Sequence, residues 1–408
     1  MKKILGLFMK NAFVVLLFCT LCSCQGNKNS QFLIDTHPTI GITMVEDKIP
    51  SWNLKAQSEN STVFFENQVD SIVLIPLESN ENVIIGSISH IEIVEDKLLV
   101  ADMYKAQQIF LFDMQGNYLH TIGNKGEGPD EYTSINQLTV SPDGICILDW
   151  MKWKLLCFGI DGKLRYRHQF KKGIPEMVFR WDEHLFIGSH AGYTHKNPYH
   201  LTWINEMDSL LNTGLPIMNV HPAPAGKLKY SNDGSILFYH SLCDTVYQIT
   251  DKQIIPKWRL GLYEPEEIST FLKKTKNMSQ KEYMQLLYNF KSDNIVNYFD
   301  LHEGKNHWVV DYQQGSYAYI SVIDKNGGSL HRYVKADINT RECYVPFVFT
   351  SISDDWMCSF LDQSFYTQMD QLMQERFLCN IKSEEQRNMI RNYDIENKNP
   401  IICLFHLK

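Results

Sequence analysis

The feature that most constrains this chain is internal repetition: alternating strands, punctuated by Asp, Asn and Gly turns, recur with a period of about 45 residues. In the clearest copy, 88–123, Ile88-Ser-His-Ile-Glu-Ile-Val94 leads through a Glu95-Asp96 turn into Lys97-Leu-Leu-Val-Ala-Asp102. Gln108-Ile-Phe-Leu-Phe-Asp113, a turn ending at Gly116 and Tyr118-Leu-His-Thr-Ile122 complete four strands in a row. The second copy repeats this plan, with Phe112 to Phe158 and Gly116 to Gly162 each 46 apart. Further copies follow at 177–215, 227–262 and 294–335, and a sixth opens at Tyr344-Val-Pro-Phe-Val-Phe349 and ends at Ile401-Ile-Cys-Leu-Phe405. A four-stranded sheet of this size cannot cover its own two apolar faces, so each copy must pack on neighbours, and a ring satisfies all of them at once. The expected fold is therefore all-β, a six-bladed β-propeller; a β-sandwich does not explain a period sustained to the last strand.

The sixth copy is one strand short. Ser71-Ile-Val-Leu-Ile-Pro-Leu77 precedes copy one and supplies the missing strand, so the ring closes by pairing the two chain ends and leaves no exposed sheet edge there. Two stretches, 264–291 and 365–395, carry helical spacing and the capping-box patterns Ser279…Glu282 and Ser383…Gln386, and read as helical inserts.

Ahead of the repeats, Lys2, Lys3 and Lys10 flank an apolar run, Ala12 to Leu21, that is too short to span a bilayer. Leu21-Cys22-Ser23-Cys24 follows and resembles the lipobox of bacterial lipoproteins, in which the acylated Cys becomes the new N-terminus. The reading is a signal peptide at 1–23, a lipidated N-terminus on Cys24 with a tether over 24–60, and a propeller over 61–408. The membrane is then a partner through the lipid anchor alone. Loss of the three lysines takes the formal charge from −8 to −11, and so acidic a surface argues against nucleic acid as a partner. Seven cysteines remain in the mature chain; buried free thiols are the expectation, with a bridge such as Cys146 to Cys157 open in an oxidising envelope.

Gly126-Glu-Gly-Pro-Asp-Glu-Tyr132, preceded by Phe112-Asp-Met-Gln-Gly116 and Thr121-Ile-Gly123, resembles the six-bladed β-propeller lipoproteins of Bacteroidetes, relatives of the NHL-repeat propellers. Asp244-Thr-Val-Tyr247 and the last strand after Asn399-Pro400 extend the resemblance over about 60–408. It implies a fold and a place in the cell envelope, not a reaction. No acidic run follows Cys24, which by analogy with that family's surface-export signal favours the periplasmic side of the outer membrane.

In a blade with strands A to D, the A–B and C–D turns emerge on one side of the ring and the B–C and D–A loops on the other. Short turns at Asp96, Asp143, Asp161 and Asp233 belong to the first side. The long loops 123–132, 192–198 and 221–227 and both helical inserts belong to the second, which becomes the expected binding face. Candidate ligand contacts there are Glu127, Glu131 and Tyr132, and the aromatic residues Trp150, Trp153 and Tyr193, which suit stacking on sugar rings or packing between blades. The loop 126–132 equally suits a brace between blades, as do Asp102 and Asp149 at the ends of their B strands. His190, His195 and His200 are the residues that could hold a divalent metal, although their five-residue spacing matches neither a strand nor a helix face; the expected cofactor is none. A P-loop ending, a Gly-x-Ser-x-Gly elbow and a complete zinc-protease motif are all missing, Asn306 standing where the last would need its second His. The functional expectation is a non-catalytic envelope protein that binds a glycan, peptide or protein partner. The alternative is a metal-assisted hydrolase or lyase, lactonase-like, working at the central channel.

Overall fold

The computed structural model describes residues 38–408 apart from 44, 46–47, 57, 60–62, 82, 172, 174, 191–197, 218–225, 289–295, 338–339, 341, 346, 363–374, 376, 380 and 394–397. Six antiparallel meanders follow one another along the chain, each the A to D strands of one blade. Blade one comprises His90–Val94, Lys97–Asp102, Gln108–Asp113 and Tyr118–Thr121. Blade two comprises Gln137–Ser141, Gly144–Asp149, Lys154–Phe158 and Leu164–Gln169. Blades three and four span Met177–Pro216 and Lys227–Arg259, and blade five runs from Val296 to Asp337.

Blade six joins the chain ends. Ser351–Ser353, Trp356–Leu361 and Ile401–Leu407 come from the C-terminal region, and Val69–Pro76 forms the outer strand, with Ile72 opposite Phe405 and Leu74 opposite Cys403. The apolar core shows that the ring is shut. Among the described residues it divides into six clusters, and each is shared by two successive blades. Phe179, Leu201 and Trp203 of blade three, for example, meet Phe238 and Ile249 of blade four. The cluster that matters most unites Ile75, Phe360 and Leu404 of blade six with Leu98, Val100 and Phe112 of blade one. An open array would leave that last pair of faces in water, at a cost of about 25 cal/mol for each Å² of apolar surface.

Buried aspartates stitch neighbouring blades at several of these junctions. Asp208 on the C–D turn of blade three accepts from Lys171 N at 2.6 Å and pairs with His168 Nε2 at 2.9 Å, tying it to blade two. Asp355 on the A–B turn of blade six accepts from Asn306 N and His307 N of blade five at 2.9 and 3.1 Å. Each carboxylate satisfies backbone donors that a turn would otherwise leave unpaired inside the ring.

Two departures from the sequence reading have physical reasons. The described residues of 38–59, a stretch assigned above to the tether, instead run as a belt along the outer edges of blades three, four and five. Thr39–Ile40 adds a parallel strand to blade three, Thr43 N and Leu54 N donate to Ile254 O and Leu260 O of blade four, and Glu59 N donates to Arg332 O of blade five. Trp52 stacks on Trp258 with ring centroids 5.9 Å apart, and Leu54 is fully buried. The belt covers strand edges that would otherwise be open to another chain. Second, blade six begins at Ser351 and not at Tyr344. Glu342–Cys343 pairs with the outer strand of blade five, and Tyr344 N and Val345 N donate to Lys335 O, so the segment serves blade five first. The bridge left open between Cys146 and Cys157, cross-strand partners in blade two, is formed, while Cys243, Cys343, Cys358, Cys379 and Cys403 are free.

The helices stand where the capping patterns place them. Pro265–Thr275 and Gln280–Tyr288 link blades four and five, and Glu384–Asn392 lies in the B–C connection of blade six. Glu264 and Glu267 cap the first reciprocally, Ser279 and Glu282 the second, and Ser383 Oγ accepts from Gln386 N in the third.

Candidate ligand site at the ring axis

The loop 126–132 on the long-loop face is held from within. Gly128 N donates to Glu131 Oε2 at 2.8 Å, and Lys154 Nζ donates to the carbonyls of Gly128 and Glu131 at 3.1 and 2.5 Å. Tyr132 is fully buried between blades one and two, and burial drives its phenol pKa upward. Glu127 remains exposed and pairs with Lys152 at 2.5 Å. Trp150 and Trp153 pack against the cluster between blades two and three, the Trp150 indole N–H buried without a partner among the described residues. Tyr193 and His195 lie outside the described residues. Asp102 accepts from Gly86 N and Ser87 N at 2.8 and 2.9 Å, and Asp149 accepts from Thr133 N at 2.7 Å, so each carboxylate binds the end of a B strand to the preceding interblade loop.

The structure does bring His190 and His200 together. His200 Nδ1 donates to His190 O at 3.2 Å, His190 contacts Thr202 Oγ1 at 3.0 Å and Glu176 at 3.3 Å, and the His200 ring lies 4.4 Å from that of His240. Burial pushes the His200 imidazole down to about 4 and that of His240 well below its ordinary range. Among the described residues no group of three or more His, Cys, Asp and Glu side chains is arranged to hold a metal ion.

Among the described residues, a cluster of ionisable side chains lies instead on the inner strands, around the ring axis. Blade four contributes Lys227 and Lys229, which alternate with Leu228; blade five contributes Asp300 and His302, which alternate with the buried Phe299 and Leu301. Lys227 Nζ pairs with Asp300 Oδ2 at 2.7 Å, and Tyr239 OH donates to Asp300 Oδ1 at 2.8 Å. Burial alone would raise the Asp300 carboxyl, but the surrounding cations, Lys227 foremost, hold it well below the usual carboxylate range. Lys229 Nζ donates to Leu301 O at 3.0 Å and to His302 Nδ1 at 3.1 Å. His302 must accept there, so it is neutral with its proton on Nε2; burial, reinforced by Lys229, pushes its pKa down to about 3. His90 and Glu92 of blade one, 2.9 Å apart, face this group across the axis, and Glu92 acts electrostatically on Lys229. Near the turn side, Glu303 accepts from Ser231 Oγ and Asn232 N and pairs with Lys325 at 2.6 Å. The result is a zwitterionic cluster of hydrogen-bond donors and acceptors around the axis.

A family model for a domain of unknown function, DUF4934, matches residues 49–406. The chain belongs to this family. The DUF4934 match begins within the belt, so Trp52 and Leu54 fall inside it. No protein of curated function matches the chain. Among solved structures, a Bacteroides fragilis protein described as exported is similar with a TM-score of 0.65 and 16% identity over 91% of this chain and 99% of that one. Virginiamycin B lyase from Staphylococcus aureus gives a TM-score of 0.37 at 11% identity over 71% of this chain and 80% of that one. A protein of unknown function from Bacteroides caccae gives 0.36 at 11% identity over 59% and 78%. At these identities the likeness to the first is one of fold, and the other two carry no argument about this DUF4934 chain.

Sequence reasoning placed the candidate residues on the loops and missed the axial group. A signal was present: within the A strands, Lys227-Leu-Lys229, Asp300-Leu-His302 and His90-Ile-Glu92 each set two ionisable residues on one side of a buried apolar one. Inner strands have no solvent-facing sheet surface except the channel, so that alternation marks the axis.

Proposed function

We propose that this chain is a lipid-anchored propeller of the cell envelope that binds a glycan, peptide or protein ligand at its axis, entered from the long-loop face, without catalysing a reaction. The observation that carries this reading is the convergence of Lys227, Lys229, Asp300 and His302 of blades four and five and His90 and Glu92 of blade one on the ring axis. The Lys227–Asp300 and Lys229–His302 contacts bridge blades four and five, whose faces are joined besides by a shared apolar cluster. Acylation at Cys24 and residence on the periplasmic side of the outer membrane are parts of the same proposal. The leader-like N-terminus, the Cys146–Cys157 disulfide, which suits an oxidising compartment, and the fold shared with an exported protein support them.

The test is an array of envelope glycans and peptides probed with purified protein and with Asp300→Asn, which keeps the shape but removes the acceptor charge. Retention of a ligand by the wild type and its loss from the variant is the expected result. Equal retention by both, or retention abolished instead by Glu127→Gln on the loop face, overturns the axial site. In cells, Cys24→Ser is expected to move the protein from the membrane to the soluble fraction; unchanged partitioning overturns the anchor.

A further inference from the structure

The cations and carboxylates at the axis are not evenly matched. Asp300 is committed to Lys227 and Tyr239, Glu92 to His90, and Glu303 to Lys325, Ser231 and Asn232. Lys229 has no such partner. Its Nζ meets a carbonyl and a neutral imidazole, and no ion pair to it is formed among the described residues. An ammonium group drawn into a protein wall with no carboxylate in direct contact is costly, and a ligand that brings a paired counter-charge recovers part of that cost on binding. Two of its three N–H groups are directed at Leu301 O and His302 Nδ1, which fixes the side chain and leaves one donor for a ligand.

The neighbours limit what that ligand can be. Asp300 and Glu92 lie close enough to act electrostatically on Lys229, so a sulfate or phosphate dianion would meet repulsion from both. A single negative charge accompanied by hydroxyl groups fits, because hydroxyls donate to carboxylates and a carboxylate accepts from the lysine. We propose that the axial wall binds a polyhydroxylated monocarboxylate, a hexuronate of an acidic glycan, with its carboxylate on Lys229 and its hydroxyls on Asp300, Glu92 and His90. The proposal rests on the axial ligand site described above and names its ligand class.

Titration calorimetry and thermal shift with galacturonate, glucuronate, the matching neutral hexoses and acetate test it on the full mature chain, as wild type, Lys229→Met and Lys229→Gln. A uronate is expected to bind the wild type at least about tenfold more tightly than its neutral hexose, and to lose that advantage in both variants, since a charge-assisted hydrogen bond is removed. Without ligand, Lys229→Gln, which keeps a donor for Leu301 O and His302 Nδ1, is expected to melt close to the wild type, so that its loss of uronate binding is read on folded protein. Equal affinity for uronate and hexose, acetate binding as well as a uronate, or uronate affinity unchanged in the Lys229 variants each overturns the inference. If a neutral glycan or peptide binds and is lost with Asp300→Asn, the axial site stands and the uronate assignment falls; if neither class binds at the axis, both fall.

Discussion

Acid should loosen the seam between blades three and four, and His200 sets the size of the effect. The residue is 5% exposed, it donates to His190 O, and it lies against the partly buried His240. The unfolded chain takes up a proton at this imidazole near pH 6.5, whereas in the folded chain burial delays protonation to about pH 4. Between those values the unfolded state binds more protons, so stability falls as pH falls, beginning near 6.5 and complete near 4. At about pH 4.5 this single group removes roughly 2.5 kcal/mol relative to about pH 7.5. His240, held low by the same burial, acts in the same direction. Asn at position 200 keeps a side-chain N–H for the His190 carbonyl and cannot titrate. Urea unfolding followed by tryptophan fluorescence should show the wild type losing about 2.5 kcal/mol more than His200→Asn between the two pH values. Equal losses would refute the assignment of a neutral, buried imidazole at this seam.

Two further substitutions test parts of the frame. Leu54→Ala in the belt should lower stability by about 2–4 kcal/mol, since it empties a fully buried position between blades four and five; a loss below about 0.5 kcal/mol in urea unfolding would show the belt to be an accessory. Gly116→Ala should cost about 1–3 kcal/mol, because φ is +86° and a Cβ would run into Pro76 O on the closing strand; an unchanged melting temperature would contradict that contact.

Much of the architecture could be read before any coordinates, for reasons visible in particular residues. Blades one and two have strands bounded by Asp and Gly turns at a repeated spacing, and those turns need positive φ, which Gly116 and Gly162 adopt. Ser71 to Leu77 was legible as the closing strand because a ring with one strand missing has only one place to find it. The belt was not legible. Thr39–Ile40, Ser51 and Glu59 make short, isolated backbone pairings, and such pairings leave no periodicity in a sequence. Val345, Phe347 and Phe349 alternate like a strand and are buried like one, yet they pack into the seam between blades five and six without joining the ladder of blade six. At the site the difficulty was one of pairing. Lys227 and Asp300 are 73 positions apart, and only closure of the ring shows that their inner strands are neighbours.

The account depends above all on the two chain ends sharing one sheet, and a single added thiol reports on that register. Leu74 lies opposite Cys403, both buried on the face turned toward blade five. Under mild oxidation, Leu74→Cys should yield a disulfide-linked pair of peptides containing positions 74 and 403, and Ile75→Cys, whose partner is Ile402 on the other face, should not. Recovery of the 74–403 link from the first variant alone is the result the closed ring predicts. A free thiol at position 74, or equal linkage to Cys403 from both variants, would contradict it.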